Sequence, residues 1–215
     1  MQLRLRDPFS GITHFVGAFF GLIALVYLVE KSLRVGTSWH VVSFAIFGAS
    51  LILLYSSSAF YHMLNVSDAT RLILRRIDHS MIFILIAGTY TPFCLVPLRG
   101  PWGWSIFITV WTLTIAGILM SAFWIHAPRW LSTGLYLFIG WIAIAAIYPL
   151  YLTLTTEALV WLVIGGLFYS VGAVIYAKKW PDPFPPTFGF HEIWHLFVLA
   201  GSFSHFLSVN TILAG

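Results

Sequence analysis

The stretch WHVVSFAIFGASLILLYSSSAFYH, residues 39–62, decides the fold. It holds no carboxylate, lysine or arginine, and about 20 apolar residues suffice to cross a bilayer as a helix. Six more long, mainly apolar runs flank it, at 13–33, 77–98, 102–125, 131–153, 157–177 and 190–212. Turn-forming residues mark the breaks: Gly36-Thr37-Ser38, Asn65-Val66-Ser67-Asp68, Arg99-Gly100-Pro101, Ala127-Pro128-Arg129 and Pro181-Asp182-Pro183-Phe184-Pro185-Pro186. The chain therefore reads as an all-α, polytopic membrane protein, a seven-transmembrane-helix bundle forming one integral membrane domain over residues 1–215. Pro92 in the third span and Pro149 in the fifth predict a kink in each.

Composition points the same way. Charged residues make up 8% of the chain, against roughly 25% in a soluble domain, too few to solvate a surface in water. The net charge of +4 is scattered between spans, so it reads as a topology signal and not as a nucleic-acid surface. Cys94 is a lone cysteine, which excludes an intramolecular disulfide and a cysteine-cluster metal site. The run from Thr13 is as long as a span and lacks a small-residue cleavage site, so no cleavable leader is expected. No internal repeat supports an inverted-repeat transporter.

The basic residues orient the bundle. With the N-terminus inside, the inner segments hold Arg4, Arg6, Arg71, Arg75, Arg76, Arg129, Lys178 and Lys179; the outer ones hold Lys31, Arg34 and Arg99. That bias predicts a cytoplasmic N-terminus, an external C-terminus and a multi-pass place in the cell's inner (plasma) membrane. Tryptophans 39, 102, 104, 124, 130 and 180 fall near span ends, as an aromatic belt does.

This topology gathers the few polar groups at one end. Span two ends at His62, span three opens at Asp78, and span seven opens with His191 and His195. Polar groups at membrane depth are costly and functional by default. His191 and His195 are four apart and share a helix face, as do Ser58 and His62. Three imidazoles with a carboxylate nearby suit a divalent metal, zinc first. They leave a fourth zinc position for water, as in catalytic sites, with Asp78 to orient or deprotonate that water and Ser58 to hydrogen-bond it.

Other residues read more plainly. His14 suits packing or cavity lining, and His79 points about 100° away from Asp78. His205, about 15 Å deeper than His195, reads as a hydrogen-bonded or cavity-lining histidine. Glu192 suits a supporting or headgroup-facing role, and His40 and His126 have no evident partner. Arg71, Arg75 and Arg76 set topology or bind anionic headgroups. Gly17, Gly21, Gly48, Gly165, Gly166 and Gly172 read as sites of close helix packing.

The stretches SSSAFYH (56–62), RRIDHSMIFILIAGTYTPF (75–93) and HEIWHLFVLAGSFSHF (191–206), with Gly11-Ile12-Thr13-His14, resemble the hemolysin III family. This is the bacterial branch of the progestin and adipoQ receptor proteins, which also resemble the alkaline ceramidases. The resemblance implies a seven-helix bundle with zinc near the cytoplasmic face. It carries over His62, His191 and His195 as ligands, and Asp78 and Ser58 as catalytic neighbours that hold water.

Three functions follow as expectations. The first is a metal-dependent hydrolase of a membrane lipid amide or ester, in the manner of a ceramidase. The second is a non-enzymatic membrane-homeostasis or receptor-like protein with structural zinc. The third is the channel or cytolytic activity of the family name. Membrane lipid is the expected partner and nucleic acid is not one; no protein partner can be named from the sequence.

Overall fold

The computed structural model describes residues 6–185 and 187–213; Arg4 and Pro186, read above, lie outside them. The helices are α1 (Pro8–Val35), α2 (Ser38–Met63), α3 (Asp68–Leu95), α4 (Pro101–Phe123), α5 (Arg129–Gly140), α6 (Ile147–Thr153), α7 (Thr156–Lys178) and α8 (Phe190–Thr211). A 3-10 stretch, Trp141–Ala146, joins α5 to α6 without a gap. The described residues thus form seven membrane-length segments and no β-strand, only an isolated bridge between Phe184 and Phe188.

Five segments are long and apolar enough to cross a membrane on composition alone: α1, α2, α4, the α5–α6 segment and α7. The other two, α3 and α8, carry Asp78 and His79, and His191, His195 and His205. The chain is a polytopic helical membrane protein whose polar chemistry is concentrated in its two least apolar long helices.

The surface is apolar. Phe15, Phe19, Leu33, Phe123 and Tyr148 are exposed, whereas Leu28, Phe44, Phe47, Tyr55 and Phe83 are fully buried. Outward phenylalanines suit lipid, which unlike water carries no penalty for apolar surface. Trp102, Trp104, Trp124, Trp130 and Trp180 are exposed at or beside helix ends. At Gly48 an added Cβ would lie 2.7 Å from the Leu25 Cα, so only glycine lets α1 and α2 come this close. Gly165 stands in the same way against the His205 ring. Gly166 does not belong with them: its nearest neighbour, Trp141, would sit 3.9 Å from a Cβ, an ordinary contact.

Two local differences from the sequence reading have physical causes. The third helix starts at Asp68, not 77, because Ser67 caps it by accepting from the Thr70 N–H at 3.3 Å and Asp68 pairs with Arg71. Hydropathy marks only the apolar part, so Asp78 lies ten residues in, about 15 Å along the axis, and does not open the helix. In the fifth segment Pro149 cannot donate to the Ala145 carbonyl and crowds it, and the backbone just before winds as 3-10. Tyr90 secures that stretch: its hydroxyl accepts from Ala143 N–H at 2.8 Å and donates to the Gly140 carbonyl at 2.7 Å. Irregular backbone at membrane depth needs such partners. α3 stays helical through Pro92.

Candidate metal centre

Four helix ends meet at one end of the bundle: the starts of α1, α3 and α8 and the end of α2. Asp7 donates its N–H to the His62 carbonyl at 3.0 Å, fixing the entry of α1 to the last turn of α2. Ser10 in α1 donates to a Glu192 carboxylate oxygen at 2.9 Å, and the other oxygen accepts from Gly189 N–H at 2.8 Å. Glu192 is therefore a staple between α1 and the cap of α8. Phe9 packs edge-on against Phe188, centroids 4.8 Å apart.

Inside this frame His62, His191 and His195 converge, with one ring nitrogen from each lying within 4.8 Å of the others. The Nε2 atoms of His62 and His191 are 3.3 Å apart. Two ligands on a tetrahedral zinc with bonds of 2.0–2.1 Å are separated by about 3.3–3.4 Å, so this spacing already fits one edge. His195 is buried, and its Nδ1 has no hydrogen-bond partner. A buried imidazole nitrogen without a hydrogen-bond partner, beside two converging imidazoles, has the chemistry of a metal ligand. These three side chains can hold a metal ion.

His62 is oriented from behind. Its Nδ1–H donates to Asp7 Oδ2 at 3.2 Å, which turns Nε2 toward His191. That bond holds the Asp7 carboxyl down at about 2, against partial burial that pushes it up, with Arg6 assisting at 2.8 Å. A carboxylate behind a ligating imidazole fixes its tautomer and raises its basicity.

Asp78 and Ser58 are buried, and neither belongs to the histidine group itself. Both line a cavity of about 240 Å³ that also touches His14, His79, His191 and His195. From Asp78 the cavity follows α3 through Ile82, Ile86 and Tyr90 to Phe93, about 22 Å of helix. Its far walls are Leu98, Ile106 and Leu150. It is polar at the histidine end and mainly apolar along the rest, where Thr89, Tyr90, Tyr169, Ser170 and His205 are the polar exceptions.

The chain belongs to the haemolysin-III related family. That family's profile matches residues 3–206. The chain is 43% identical to a "Hemolysin-3 homolog" of Bacillus subtilis over 93% of its own length and 91% of that protein. With "Hemolysin-3" of Bacillus cereus the identity is 42% over 93% and 88%. A more distant relative is an "Adiponectin receptor protein" of Drosophila melanogaster, 27% identical over 92% of this chain and 48% of that one. The family resemblance drawn from the histidine motifs thus holds across the chain.

Several residues stand closer to the centre than sequence alone placed them. His14 is buried and stacks on His195, centroids 3.8 Å apart and planes 13° apart, and its two nitrogens have no partner. Asp7 carries no sequence signal, since it precedes the apolar run and nothing in the spacing links it to His62. His79, although adjacent to Asp78, lines the same cavity. His205 donates from Nε2 to the Leu162 carbonyl at 3.2 Å and lines the cavity away from the triad. His40 has a partner after all: its Nδ1 accepts the Thr37 N–H at 3.1 Å and caps α2.

Proposed function

We propose that the chain is a zinc-dependent hydrolase that cuts an amide or ester bond in a membrane lipid. One observation carries this reading. Of three converging histidines, one with an orphaned buried nitrogen, two (His191 and His195) line the polar end of a mainly apolar cavity that also exposes Asp78 and Ser58. A purely structural metal needs no cavity, no buried carboxylate and no hydroxyl beside it.

The residues then divide the work. His62, His191 and His195 hold the ion, and Asp7 fixes the tautomer of His62. When bound, zinc supplies a Lewis acid for the carbonyl and makes water more acidic. Asp78 takes a proton from water as its oxygen bonds to the acyl carbon, and returns it to the departing nitrogen or oxygen as that bond breaks. Ser58 donates a hydrogen bond to the oxygen on which charge develops. The apolar length of the cavity receives the acyl chain and keeps bulk water away.

The ends of the bundle support a cytoplasmic N-terminus. Arg6, Arg71, Arg75, Arg76, Arg129, Lys178 and Lys179 lie at the histidine end, against Lys31, Arg34 and Arg99 at the other, which is the bias of inner loops. The centre then faces lipids of the cytoplasmic leaflet of the cell's own membrane.

A structural zinc is the second reading, favoured by the fact that the triad ties α2 to α8. Both readings are separated by one experiment on detergent-purified protein loaded with zinc and offered ceramides and phospholipids. The hydrolase releases fatty acid in the wild type and not in Asp78→Ala, with zinc retained in both. Zinc in both proteins without fatty acid from any lipid overturns the hydrolase and leaves the staple.

A further inference from the structure

One face of α3 leads from the outside of the bundle into the cavity. Arg71, Arg75, Asp78, Ile82 and Ile86 follow one another at helical spacing, and all but Arg71 line the cavity. On the outer side lies a second hollow, about 460 Å³, lined by Arg6, Tyr61, Asp68, Arg71, Leu72 and Arg75. Arg75 borders both.

The charges around this hollow are unequal. Arg6 is paired with Asp7 and lies 4.7 Å over the Tyr61 ring, and Arg71 is paired with Asp68. Arg75 is half-buried and has no ion pair or hydrogen bond among the described residues. Arg6 and Arg71 thus each have an ion-pair partner, whereas Arg75, between hollow and cavity, has none among these residues; the buried Asp78 three residues on feels its charge without pairing with it. A guanidinium offers five N–H donors in a planar fork suited to phosphate oxygens. On Arg75 they have no partner among the described residues and are within reach of an anionic group seated in the hollow.

We propose that this hollow binds the phosphate of an anionic lipid headgroup, with Arg75 as the central contact and Arg71 and Arg6 flanking it. The order along α3 matches such a lipid. Arg75 precedes Asp78 by three residues, about 4.5 Å of rise, and apolar cavity wall follows. A phospholipid presents its phosphate, then an acyl linkage a few bonds on, then its chain. Free phosphate would use the same guanidiniums but has no use for the apolar continuation. That the linkage lies at Asp78 rests on the hydrolase reading; binding of the phosphate does not.

The test is binding of dioctanoyl phosphatidylglycerol and dioctanoyl phosphatidylcholine to the full-length protein in neutral detergent. It uses wild type, Arg75→Gln and Arg75→Met, the last keeping the apolar stem that packs on the helix. Each is measured zinc-loaded and after EDTA treatment, so that a missing zinc or a missing hydrolysis leaves this result readable. The expected result is phosphatidylglycerol bound about tenfold tighter than phosphatidylcholine by the wild type, in both metal states. Either variant that melts like the wild type brings the two lipids within about twofold. No headgroup preference in the wild type, or a preference that survives in a folded variant, overturns the proposal. Inorganic phosphate is the third arm. Competition only at concentrations about a hundredfold above the lipid's own supports a lipid site, whereas competition at equal concentration assigns the hollow to free phosphate.

Discussion

Removing the Asp7 carboxylate should weaken zinc binding without disturbing the three histidines. Asp7 touches no ion; it accepts the Nδ1–H of His62 at 3.2 Å and so presents Nε2 to the centre, 3.3 Å from that of His191. A hydrogen bond to a charged group contributes about 1.5–3 kcal/mol. Asp7 is 41% exposed and the bond is long, so the lower end applies, about 1.5 kcal/mol, which is roughly a tenfold weaker affinity for Asp7→Ala. That is the low edge of the roughly 10–100-fold range for groups behind metal ligands. Asp7→Asn keeps an acceptor but loses the charge, and about threefold is expected. The assay is competition for zinc against a chelator of known affinity, in detergent, on variants shown to melt cooperatively. A Zn affinity for Asp7→Ala within twofold of wild type would refute the idea that this carboxylate sets the tautomer of His62.

Four further outcomes follow from the same structure. Asp78→Asn should lower lipid turnover by about 10²–10⁴-fold, the range for a lost general base, with zinc content unchanged by elemental analysis. Gly48→Val should lower the melting temperature, since the new Cβ meets the Leu25 backbone; overpacking of this kind costs about 1–3 kcal/mol, and an unchanged melting temperature contradicts the close α1–α2 approach. Tyr90→Phe strips the 3-10 stretch of its partner for Ala143 N–H, and faster hydrogen exchange at residues 141–146 with little change elsewhere is the expected signature. The Asp7 carboxyl is depressed from 3.8 to about 2, so its contact stabilises the fold above about pH 4 and is lost as pH falls through 2. In zinc-free protein the melting gap between wild type and Asp7→Asn should hold from pH 7 to 5 and close below pH 4; a gap that widens on acidification contradicts the sign.

The helices were legible from apolar runs because lipid imposes one rule on every span, and the ends fell within a few residues wherever a run stopped abruptly. α3 escaped that rule because its first turns, with Arg71, Arg75 and Arg76, lie beyond the apolar stretch. A capped, charged helix outside the bilayer leaves no hydropathy signal. His62, His191 and His195 could be read together since spacing and topology both constrain them. Asp7 and His14 could not, because their proximity to the triad depends on how α1 leans across α2 and α8. Six glycines looked alike in sequence, and only the packing separates Gly166 from the others. The stacking of His14 on His195, with both His14 nitrogens unpartnered, is likewise a product of tertiary approach and has no sequence period behind it.

The central claim is that His62, His191 and His195 hold one zinc ion. X-ray absorption at the zinc edge, on purified protein of measured metal content, tests it most directly. The expected result is about one zinc per chain with three imidazole nitrogens at 2.0–2.1 Å and one oxygen ligand, all lost in a His62→Ala, His191→Ala double variant that still melts cooperatively. A protein that takes up no zinc, or a zinc signal unchanged in that variant, would contradict it.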